Sequence, residues 1–104
     1  MPTMDGYIIA YRLPKGTINN GYSRFQKKFF GQETSSHGGK YRYRRKGLLD
    51  EIPHRLLIRG VIIVGPGDVD DIKEFLSDFD AEAHVRRVLL TKEDCQALGM
   101  DFEE

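Results

Sequence analysis

Residues 55–64 read RLLIRGVIIV, a nearly continuous apolar run. Gly65-Pro66-Gly67 stops it, and so much apolar character on both sides of a period-2 alternation predicts a central strand. Downstream, Asp68 is the expected N-cap of a helix, with Asp71 in capping-box-like spacing. Val69, Ile72, Phe75, Leu76 and Phe79 form its apolar stripe. Residues 82–91, EAHVRRVLLT, give a last strand. Thr91 then caps a short helix that ends near Gly99 with Leu98 as its anchor, before a frayed tail over 99–104.

Upstream, residues 6–13 (GYIIAYRL) are β-branched and aromatic, and they halt at Pro14-Lys15-Gly16: a strand and a turn. Residues 20–30 (NGYSRFQKKFF) change to helical spacing. Tyr22, Phe25 and Phe29 form a core stripe, while Arg24, Lys27 and Lys28 lie off it. Asn19 or Asn20 is the expected cap and Gly31 the expected stop. QETSSHGG at 32–39 reads as a polar loop. In KYRYRRKG, residues 40–47, Tyr41 and Tyr43 share one face and Arg42 and Arg44 the other, which suits a strand at a sheet edge.

The resulting order is β-α-β-β-α-β plus a terminal helix. It is an α+β chain with the ferredoxin-like split βαβ arrangement, an antiparallel sheet with two helices on one face. At 104 residues the length fits one domain, 1–104. Alternation then leaves Tyr7, Ile9, Tyr11, Arg59, Val61 and Ile63 on an uncovered face. An apolar face of that kind should meet something, and sheet-to-sheet pairing into a homodimer is the plain expectation.

Sixteen Lys and Arg balance sixteen Asp and Glu, but not locally. Up to Gly60 there are twelve cations and four acids; from Val61 onward, four cations and twelve acids. A basic half over 1–60 and an acidic half over 61–104 fit either nucleic-acid contact by the first or mutual neutralisation of the two. Within the basic half, SSHGGKYRYRRKG at 35–47 gathers five cations and two tyrosines with no acid. His37 and Lys40 beside two glycines can approach a phosphate, Arg42, Arg44, Arg45 and Lys46 can neutralise several, and Tyr41 and Tyr43 can stack bases. Arg24, Lys27, Lys28 and Arg59 are the supporting cations. The expected partner is therefore nucleic acid, RNA or single-stranded, bound without catalysis. The bland alternatives are a solvated edge hairpin, or a module that pairs with itself.

Other chemistry is poorly supported. VGPGDVDD opens a helix after a strand but lacks both the dinucleotide glycine spacing and the P-loop Lys-Ser/Thr, and its aspartates repel phosphate. Asp70 and Asp71 diverge on a helix, and His37, His54, His84 and Cys95 have no zinc spacing, so no metal and no cofactor are expected. Ser35 or Ser36 beside His37 makes no catalytic dyad. One cysteine and no apolar run of roughly 20 residues suggest a cytoplasmic setting with no membrane partner. MPTMDGYIIA lacks the features of a signal peptide.

Two families share the expected topology. The RNA recognition motif carries a basic residue and Gly before aromatics on its third strand. Arg59-Gly60 are similar, but Val61 and Ile63 stand where the rings belong, so membership is rejected. The small dimeric CRISPR-associated nucleases resemble the chain in size and topology. They imply a strand-end Asp for metal, whereas this strand ends Tyr11-Arg12-Leu13.

Overall fold

The computed structural model describes residues 4–36 and 41–100, without the side chains of 33–36 and 41–43. The protein is α+β. Its strands are β1 (Asp5–Arg12), β2 (Gln32–Ser36), β3 (Tyr41–Arg45), β4 (His54–Ile58), β5 (Val61–Val64) and β6 (Glu82–Leu89). Its α-helices are α1 (Asn19–Phe30), α2 (Val69–Asp78) and α3 (Lys92–Ala97), with short 3-10 turns at Leu48–Glu51 and Pro66–Asp68. A four-stranded antiparallel sheet runs in the order β4-β5-β1-β6, and among the described residues β2 pairs with β3 alone. The chain divides into two compact units: Met1–Pro14 with Pro53–Glu104, which holds the sheet, and Lys15–Ile52, which holds α1 and the β2–β3 hairpin. Among the described residues no helix is long and apolar enough to cross a membrane.

RLLIRGVIIV is two strands rather than one. It folds back at Arg59-Gly60, where Gly60 takes φ 86°, a conformation that side chains with a Cβ resist. A Cβ there would also stand 2.9 Å from the Tyr11 carbonyl. The fit is close because the Tyr11 amide donates to the Gly60 carbonyl at 2.8 Å. This hairpin supplies the fourth strand of the sheet, so YRYRR is not one of its members, as the sequence had led us to expect.

The fold-back also corrects the facial assignment. Ile9 pairs opposite Ile62, and Ile8 opposite Ile63. Ile9, Ile62 and Val64 are buried on one face, where α2 packs against β6 and buries Ile72 and Leu76. On the other face Ile63 clusters with Leu90, Cys95 and Leu98, and Ile8 and Val88 pack beside them. Ile9 and Ile63 thus lie on opposite faces, each covered, and the continuous open apolar face expected from alternation is absent among the described residues. Exposed apolar groups concentrate instead on the outer strand β4, where Leu56, Leu57 and Ile58 are 51%, 40% and 68% exposed.

Helix ends are set by local chemistry. Thr91 and Asp94 exchange hydrogen bonds across the first turn of α3, amide to hydroxyl at 3.1 Å and amide to carboxylate at 3.0 Å. That is the reciprocal cap its sequence predicts. Asp68 stands at the N-cap of α2 as expected, at the end of the Pro66–Asp68 3-10 turn, but its side chain makes no cap hydrogen bond. Ile18 occupies the N-cap of α1, so neither Asn19 nor Asn20 caps it, while Gly31 ends it as expected. Of the aromatic stripe, Phe25 and Phe29 are buried with ring centroids 5.1 Å apart, but Tyr22 stays 41% exposed. QETSS, read as loop, is strand β2; its partner is as polar as itself, so apolar alternation never marked it. Residues 101–104 of the expected frayed tail lie outside the described residues.

Candidate functional site

The Lys15–Ile52 unit concentrates charge: it holds nine Lys and Arg against three Asp and Glu, and the sheet-bearing unit holds seven against thirteen. On α1, Asn20, Ser23, Arg24, Lys27 and Lys28 recur at i, i+3, i+4, i+7 and i+8, a single helical face. Phe25 and Phe29 bury the opposite side. The sequence therefore dictates that burying the rings turns the cations outward.

Arg44 and Asp50 bring the end of β3 to this face. The Arg44 guanidinium donates to Asp50 Oδ1 at 2.6 Å and to the Phe30 carbonyl, at the end of α1, at 3.1 Å. The other carboxylate oxygen of Asp50 accepts from the Gly47 amide at 2.8 Å. The chain passes so close that a Cβ on Gly47 would lie 2.6 Å from the Phe29 carbonyl and would collide with the Gly31 amide. Only a glycine fits there. Because neighbours on a strand point oppositely, Arg45 emerges on the side away from Arg44.

The product is a concavity of about 450 Å³ lined by Asn20, Ser23, Arg24, Lys27, Lys28, Gln32, Arg45 and Lys46. Five of the eight are cationic and none is acidic. Lys27, Lys28, Arg45 and Lys46 are exposed, and none forms an ion pair with a described residue. Lys27 and Lys28 also complement the negative end of the helix dipole, which accounts for two charges at that position but not for Arg45 and Lys46.

The remaining sequence-predicted residues separate from this cluster. Arg44 is committed to bracing. Tyr41, Arg42 and Tyr43 belong to β3 by backbone, with side chains outside the described residues; His37 and Lys40 lie outside them altogether. Arg59 sits in the β4–β5 turn of the sheet unit. The sequence reading missed Ser23 and Gln32 as lining groups and treated Asn20 as a cap. The helical spacing of Asn20 and Ser23 with the cations was the available signal.

Arg59 lines a smaller concavity, about 310 Å³, with Ala10, Tyr11, Arg12, Gly60, Val61, Glu82 and His84. Here Arg12 and Arg59 stand against one acid, Glu82. Glu82 bonds His84 Nε2 at 2.7 Å and accepts from Arg12 Nε and Nη2 at 3.1 and 2.9 Å. Those contacts, His84 first and then Arg12, hold its carboxyl below the ordinary range. Burial pushes the Tyr11 phenol up to about 12, partly opposed by the Arg59 charge. Among the described residues no group of three or more His, Cys, Asp or Glu side chains is placed to hold a metal ion.

No protein-family model, no curated protein and no solved structure matches this chain.

Proposed function

We propose that this protein binds single-stranded nucleic acid, RNA foremost, without catalysis, through the concavity between α1 and the end of β3. The observation that carries this reading is five cations around one hollow with no acid among its described lining residues, four of the five with no ion pair to a described residue. Leaving like charges clustered opposes folding through mutual repulsion, so a bound anion gives their retention a physical reason. A hollow of about 450 Å³ has room for a few phosphates of a strand. Tyr41 and Tyr43, on the same strand as Arg45, are proposed to stack bases beside it. The ferredoxin-like arrangement is also proposed, supported by the sheet order β4-β5-β1-β6, with the β2–β3 hairpin as an insertion after its first helix.

The test is a fluorescence titration of a labelled single-stranded RNA across salt concentrations. The triple variant Lys27→Gln, Arg45→Gln, Lys46→Gln should weaken binding and flatten the log–log salt slope by about 2, given roughly 0.7 per phosphate neutralised on a single strand. Parental affinity in that variant at low salt ends this reading.

Self-association is a second reading, supported by Leu56, Leu57 and Ile58 exposed on an outer strand with an open edge. A second copy is the proposed occupant because each copy carries one strongly basic and one strongly acidic unit. A monomer by light scattering at low and high salt would remove it.

A further inference from the structure

The shape and charge of the basic concavity specify more than a strand. The hollow holds about 450 Å³, and five described cations line it. Nucleic-acid backbone brings one negative charge per phosphate, spaced about 3.4 Å apart along a helix axis. Internal backbone therefore delivers less charge into that space than phosphoryl groups joined directly to one another.

A chain of linked phosphoryl groups matches it better. A terminal phosphoryl group carries about 1.5 to 2 negative charges near neutral pH, and each further group in a triphosphate adds one more within the same few ångströms. The lining is suited in kind as well as in count. Arg45 offers a planar fork that can bind two oxygens at once, and Lys27, Lys28 and Lys46 offer compact point charges. Asn20, Ser23 and Gln32 add neutral donors for the remaining oxygens and acceptors for a sugar hydroxyl. The Arg44 contacts to Asp50 and to the Phe30 carbonyl hold the backbones from which these donors extend.

We propose that the concavity recognises a 5′-triphosphate, at the end of an RNA strand or on a free nucleotide. This rests on the nucleic-acid reading above and narrows its site to one chemical group. No bond is made or broken.

The experiment uses the full chain and one short RNA sequence prepared with a 5′-hydroxyl, a 5′-monophosphate or a 5′-triphosphate. ATP and inorganic tripolyphosphate serve as competitors. The triphosphate strand should bind at least tenfold tighter than the 5′-hydroxyl strand, with the monophosphate between them. Lys27→Gln with Lys46→Gln should erase that margin while the far-ultraviolet circular dichroism stays unchanged. Tripolyphosphate competing as well as ATP assigns recognition to the phosphates alone; binding of ATP without binding of any RNA assigns the site to free nucleotides. Equal affinity for the 5′-hydroxyl and triphosphate strands overturns the triphosphate proposal and leaves the strand-binding reading standing. No binding by any of these probes overturns both.

Discussion

The two units treat their charges differently. In the sheet-bearing unit three of the seven Lys and Arg are matched at close range, Arg12 with Glu82, Arg87 with Asp5 and Arg55 with Asp94, and His84 shares Glu82. In the Lys15–Ile52 unit a single described pair, Arg44 with Asp50, serves to hold the walls of a hollow, and four further cations stand around it with no ion pair to any described residue. The sheet-bearing unit carries an excess of acid, thirteen against seven, and the Lys15–Ile52 unit an excess of base, nine against three. Clustered positive charge of the second kind attracts anions.

The largest disturbance should come from removing the close approach that shapes the hollow. Gly47→Ala forces a methyl group against the Phe29 carbonyl and the Gly31 amide, and overpacking of this kind costs about 1–3 kcal/mol. Chemical denaturation should show that loss, and RNA affinity should fall with it. Wild-type stability would mean that the two segments are not held together as described.

The sheet-bearing unit makes a prediction of intermediate size. Hydrogen bonds from Thr91, and then from Arg55, hold the Asp94 carboxyl below the usual aspartate range. Its contribution is therefore full above the unfolded value of about 3.9 and is lost as pH falls through the lower folded value. Asp94→Asn should cost about 1 kcal/mol at neutral pH and should shallow the decline of stability on acidification. Thermal melts of the two proteins between pH 7 and 2.5 check this; parallel curves would contradict the assigned pairing.

The smallest effect separates the units most sharply. Lys27→Gln, Arg45→Gln and Lys46→Gln together should change the denaturation midpoint by less than the equivalent of about 0.5 kcal/mol, as for surface residues with no structural partner. A loss well beyond that in a urea titration would show that these cations hold the fold instead of waiting for a ligand.

What could be read from sequence follows from the same physics. α1 was legible because Phe25 and Phe29 bury at helical spacing, and the outward cations then follow by geometry. α2 and α3 were legible from their apolar stripe and from the Thr91–Asp94 cap. RLLIRGVIIV misled because both arms are apolar and the turn inside is only Arg59-Gly60; a glycine between two short apolar runs was the overlooked sign of a hairpin. β2 was invisible because QETSS meets only the polar YRYRR. The cations of the site were legible one by one. Their convergence depended on Arg44 reaching Asp50 and Phe30, which no spacing rule encodes.

The contact between Gly31 and Gly47 has a consequence for how this protein can vary. Everything from Gln32 to Lys46 leaves and returns at nearly one point in space. A segment with touching ends can vary in length between them, but Arg44 lies inside it and ties it to Asp50 and the Phe30 carbonyl. A different hairpin grafted between those two glycines therefore has to bring an arginine to the place of Arg44.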